Sequence, residues 1–165
     1  MALFKTGFLS VARNSSMNNE ESKLIPELAD WNGGTGITLE AWISGVGRFD
    51  HALGYSSIFW PSFIEYESCV FRTVPDREAY QQWMKSTGGD RTKVEAAMNH
   101  MHLIDLFTGS EYQPNRALLL RLGQIMKEAW SCKLARDFPT KRFETPFFSD
   151  AENLTDLELT FYQHP

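Results

Sequence analysis

Between residues 95 and 105 the chain gathers Glu95, Asn99, His100, His102 and Asp105, the densest set of side chains able to move protons or hold a metal ion. Histidine titrates near neutral pH and is the commonest nitrogen ligand, so this cluster is the first place to look for chemistry. A helix opened by Thr92 would put Glu95, Asn99 and His102 at i, i+4 and i+7 on one polar stripe, with Asp105 one turn past His102. A carboxylate beside an imidazole can orient a general base or supply two metal ligands. On such a helix, however, His100 and His102 face different ways and the two-histidine spacing of helical zinc sites is missing. The expectation is therefore no metal and no cofactor, with Glu95, His102 and Asp105 as catalytic suspects. Glu67 is the fourth: it shares the helical face of Phe63 and Val70, while Glu65, two residues away, diverges from it by about 200°.

Other constellations give less. Asp50-His51 reads as the end of a helix begun at Thr38, where the dipole alone favours histidine. Asn32-Gly33-Gly34-Thr35-Gly36 lacks the Lys-Ser/Thr ending of a phosphate loop and follows a helix, so it reads as a turn. Cys69 and Cys132 form neither a redox pair nor a zinc spacing, and both fall in apolar helical patterns that favour burial. Phe59-Trp60 before Pro61 reads as a hydrophobic staple that would anchor a partner if it reached the surface, and the basic helix positions that include Arg116 and Arg121 could receive an acidic segment.

The elements that must position these groups follow from periodicity. Residues 1–13 are apolar and basic, residues 14–22 form a polar connector, and residues 23–137 carry the helical body. Helices are expected from Ser22 to Trp31, from Thr38 to about Leu53, and from Pro61 to about Phe71. Others run from a Thr73–Asp76 cap to Gly88-Gly89, from Thr92 to about Ile104, and from Pro114 to about Arg136. In the last, Leu118, Leu119, Leu122, Ile125, Met126, Ala129 and Cys132 form the apolar face. Within residues 141–163 the period becomes two, Phe143-Thr145-Phe147 against Leu157-Leu159-Phe161, which predicts an antiparallel hairpin. Pro146 cannot donate to a ladder, so its strand should be an edge; Leu3–Val11 is a candidate partner for the hairpin. The fold expected is one mainly α domain of about six helices with a C-terminal hairpin, α+β being the alternative.

Composition narrows the function classes. The chain has 165 residues, 42% of them hydrophobic, 13% aromatic, and a net charge of −5, which disfavours nucleic acid as a partner. No apolar run reaches the ~18 residues of a membrane span, and two cysteines fit a reducing, cytoplasmic setting. With no catalytic motif visible, the expectation is a small acidic, non-enzymatic protein-binding module (an adaptor, inhibitor or immunity-type protein), with room for a homodimer. The alternative is a small enzyme whose Glu/His/Asp site is assembled by the fold and is open to metal assistance.

Overall fold

A computed structural model describes residues 22–109, 113–150 and 152–164. The expectations for residues 1–13, including the Leu3–Val11 pairing, and for most of the 14–22 connector lie outside the described residues. The chain divides into two compact units, Met1–Arg48 and Phe49–Pro165.

In the first unit the expected helix before the glycines is only a 3-10 turn, Pro26–Asp30, running into the four-residue α1, Trp31–Gly34. Asn32 and Gly33 take left-handed φ values of 53° and 66°, the break that the Asn-Gly-Gly signal announces. Thr38 caps α2, Leu39–Val46, its hydroxyl accepting from the Ala41 N–H at 3.2 Å. The helical period continues to Leu53, but α2 stops at Gly47. There the backbone turns extended so closely over Ile43 that a β-carbon would strike its carbonyl.

The second unit is mixed α+β, where the sequence suggested mainly α. It begins with α3, Phe49–Phe59. The helix expected from Pro61 is instead a hairpin of β1, Ile64–Tyr66, and β2, Cys69–Phe71, paired Ile64↔Phe71 and Tyr66↔Cys69. Glu67 and Ser68 form its two-residue turn at φ 51° and 67°, the signs a type I′ turn requires. The aromatic and β-branched residues of this stretch suit a strand as well as a helix, and the usual Asn-Gly marker is absent from the turn.

Next come α4, Arg77–Ser86, capped by Asp76, and α5, Arg91–Met98, capped by Asp90; aspartates thus do the capping expected of Thr73 and Thr92. The α5 helix ends before His100. The chain then extends as β3, Met101–His102, and tightens into a 3-10 turn, Leu103–Phe107. The longest helix, α6, Arg116–Asp137, starts on an Asn115 cap one residue after Pro114 and ends before Pro139. Its buried face is Leu119, Gly123, Met126, Trp130 and Leu134, and Cys132, expected on the core side, is exposed.

The C-terminal hairpin forms as expected. Strands β4, Phe143–Glu144, and β5, Phe147–Phe148, face β7, Tyr162–Gln163, and β6, Glu158–Leu159. Phe143↔Gln163 and Phe147↔Leu159 lie in one register, and the Pro146 carbonyl still accepts from the Thr160 N–H where its nitrogen cannot donate. The other side of β6 is taken by β3, giving the sheet order β3-β6-β5. Leu157, Leu159 and Phe161 point inward and meet Phe63, Val70, Leu103, Leu119, Met126, Trp130 and Leu134 in the main core. No helix among the described residues is long and apolar enough to cross a membrane.

Candidate functional site

The end of α5 decides which side chains meet. Once residues 101 and 102 are extended, side chains alternate across the strand with period two, so His100 and His102 fall on one side and Met101 on the other. This corrects the expectation that the two histidines diverge, which assumed a helical repeat. Their rings stand edge to face at 4.5 Å between centroids. Strand β6 supplies the third group, because His102 lies directly opposite Glu158 in the antiparallel ladder.

Glu158 spans the two imidazoles with one oxygen each: Oε2 is 3.1 Å from His100 Nε2, and Oε1 is 3.4 Å from His102 Nδ1. One ligand atom from each of the three residues lies within 4.8 Å of the others, His100 being exposed and the other two half-buried. His102 Nδ1 is also 2.6 Å from the Thr155 carbonyl. A carbonyl only accepts, so Nδ1 donates to it. Beside the site, Asp156 accepts from the Asn153 side-chain amide at 3.0 Å and the Thr155 hydroxyl at 3.1 Å. These bonds, with His102 nearby, hold the Asp156 carboxyl below the usual carboxylate range. Two imidazoles and a carboxylate on the rim of a small sheet can pass a proton between them or hold a divalent cation.

The four catalytic suspects do not converge. Glu95 is fully buried and is a clamp: its carboxylate accepts from the Val70 N–H at 2.6 Å and from the backbone and side-chain N–H groups of Gln163 at 2.6 and 2.5 Å. Asn99, one turn on, accepts from the Arg72 N–H and donates to the carbonyls of Val70 and Phe161. Together they tie β2 to the β7 end of the hairpin. Asp105 is exposed on the 3-10 turn without a bond to His102, and Glu67 sits in the β1–β2 turn. Only His102 belongs to the cluster.

The remaining candidates are dispersed as well. Phe59 is partly buried against the main core; Trp60 is 42% exposed with Lys133 Nζ 5.9 Å from its ring. Arg116 donates to the carbonyls of Ser149 and Glu152, fastening the start of α6 to the loop after β5, and Arg121 is partly buried further along. His51 lies in the first turn of α3, not at a helix C-terminus. Cys69 is buried; burial, then the Glu95 charge, pushes its thiol up, the opposite of what a nucleophile needs.

Sequence reasoning missed Glu158 and set His100 aside. The available signal was a His-x-His stretch at strand spacing together with Glu158 in the period-two run from Leu157 to Phe161. No protein-family model matches the chain, and no curated protein or solved structure matches it either.

Proposed function

We propose that this protein binds a divalent transition-metal ion through His100, His102 and Glu158. The observation that carries the reading is the convergence of two imidazoles and one carboxylate across the β3–β6 ladder. Neighbouring ligands of a tetrahedral ion with bonds of about 2.0–2.1 Å are about 3.4 Å apart, and His100 Nε2 and Glu158 Oε2 stand at 3.1 Å. The Thr155 carbonyl, 2.6 Å from His102 Nδ1, orients this ring as an outer partner. Imidazole with carboxylate suits ions of the zinc class better than calcium or magnesium, which take oxygen ligands. Three protein ligands leave a position for water, and a metal-bound water is a nucleophile near neutral pH. That chemistry is how the small-enzyme alternative would operate.

The test is dialysis of the metal-free protein against Zn²⁺ followed by elemental analysis. One equivalent is expected for the native chain. His100→Ala with His102→Ala should retain none, and a native far-UV circular dichroism spectrum would show that the loss is of ligands and not of the fold. Protons compete with the ion for imidazole nitrogen, so retention should fall on acidification. Retention that is independent of both histidines would exclude the site.

The protein-binding reading stands second. It is favoured by Phe49 and Leu53, one turn apart on α3 and 98% and 75% exposed.

A further inference from the structure

A second feature of the Phe49–Pro165 unit lies on the Met101 side of β3, away from the histidines. An open cleft of about 650 Å³, within the size range of small-molecule sites, is lined by residues from the end of α3, β1, the segment after β2, and β3. Its walls are mostly apolar, with Trp60, Ile64, Val74 and Met101 among them; Ser62 and Thr73 add hydroxyls. Arg72 is the only charged residue in the lining.

The guanidinium of Arg72 is held but not neutralised. Its carbon lies 5.2 Å from the Trp130 ring centroid, and Nη1 meets the Met101 thioether sulfur, a weak acceptor, at 2.7 Å. Its Nε is buried and has no hydrogen-bond acceptor. Among the described residues no carboxylate pairs with Arg72, although the chain carries 21 acids. Burial lowers its pKa, yet a guanidinium keeps its charge at neutral pH. Arg72 is half-buried, and its guanidinium is stacked on an indole at the wall of an apolar cleft without a carboxylate partner among the described residues.

We infer that the cleft binds a small apolar molecule bearing one carboxylate, with the carboxylate on Arg72 and the apolar body against Trp60, Ile64 and Val74. A guanidinium matches a carboxylate in charge and in the spacing of its two oxygens. Phosphate, with up to two charges, ordinarily draws several cations or a helix N-terminus, and the lining offers neither.

The test is an NMR titration of the full chain with phenylpropionate, its neutral counterpart phenylpropanol, and inorganic phosphate. Phenylpropionate should shift the Ser62 and Thr73 amides and the Arg72 Nε–H, and the alcohol should bind about tenfold more weakly. Arg72→Met should remove that difference. Because Arg72→Met also loses the stacking on Trp130, Val74→Asp on the exposed rim gives an independent check. It should weaken phenylpropionate about tenfold more than it weakens the alcohol, because the added charge repels only the acid, and leave the melt unchanged. Equal binding of acid and alcohol would overturn the proposal. So would phosphate binding as tightly as phenylpropionate, no shift at these groups, or a Val74→Asp protein with native affinity.

Discussion

Glu95 accepts three N–H groups from residues 25 and 68 positions away, so a helical stripe drawn through it describes its neighbours in sequence and not its bonding. Removing the carboxylate leaves the buried Val70 amide and the half-buried Gln163 amides without acceptors, at about 1–3 kcal/mol each for buried groups. Glu95→Ala should therefore lower the free energy of unfolding in urea by about 3 kcal/mol or more. A loss below about 0.5 kcal/mol, the scale of an ordinary surface change, would contradict the clamp. Tyr80 gives a second residue-scale prediction. Burial, then the neighbouring Cys69, pushes its phenol up to about 12 from 10.0, and the Cys69 thiol moves in the same direction. Below pH 10 the phenol is protonated in both states and its contribution is fully present; above it the unfolded chain loses the proton first. Stability should fall as pH rises from about 10 to about 12, with phenolate absorbance following the unfolding transition. His102 was legible as a candidate because its chemistry belongs to its residue type. Its partnership with Glu158, 56 positions on, arises only from strand pairing.

At the scale of elements, the boundaries that the sequence marks with glycine, proline or a polar cap are largely where they should be. Gly88-Gly89 ends α4 and Pro114 precedes α6, and the alternation after Pro139 does become a hairpin. Expectations failed where one spacing served two structures. Phe63, Tyr66 and Val70 fit a helical face, yet Ile64 to Phe71 form β1 and β2 around a turn whose residues, Glu67 and Ser68, carry no turn signature. Replacing Glu67-Ser68 by Asn-Gly should raise stability by about 1 kcal/mol, read from chemical denaturation, because both positions have positive φ. A loss would show that the turn is not of this type. The period from Thr92 to Ile104 likewise runs through a break: Val94 and Met98 of α5 pack with Cys69, Phe71 and Tyr80, while Met101 and Ile104 pack on the main core from β3 and the 3-10 turn. On α6 the buried face is turned from the stripe of aliphatic residues toward Gly123 and Trp130. Gly123 is needed, since a β-carbon there would collide with the Phe147 ring of β5. Gly123→Ala should cost about 1–3 kcal/mol by overpacking, whereas Gly54→Ala, where nothing lies within 4 Å, should cost nothing comparable.

For the molecule as a whole, composition foretold a folded chain with a sizeable core, and helices with an antiparallel C-terminal hairpin make up much of it. What it did not foretell is the share of sheet, because the strands are two or three residues long and leave little periodicity to read. Every described buried apolar side chain except Leu28 belongs to Phe49–Pro165, as do the histidine–glutamate cluster and the Arg72 cleft. A fragment of residues 49–165 should therefore fold with a single cooperative melt and keep the ligand positions; a fragment without a transition would place essential packing in residues 1–48. The central claim is that β3 and β6 together form a three-ligand metal site. Cobalt(II) titration followed by visible absorption tests it most directly, because band intensity reports coordination number and geometry together with stoichiometry. One equivalent with the intense bands of a four- or five-coordinate ion is the predicted result, lost in His100→Ala and weakened by Glu158→Gln. A spectrum identical to that of free hexaaqua cobalt, or one that survives both substitutions, would contradict it.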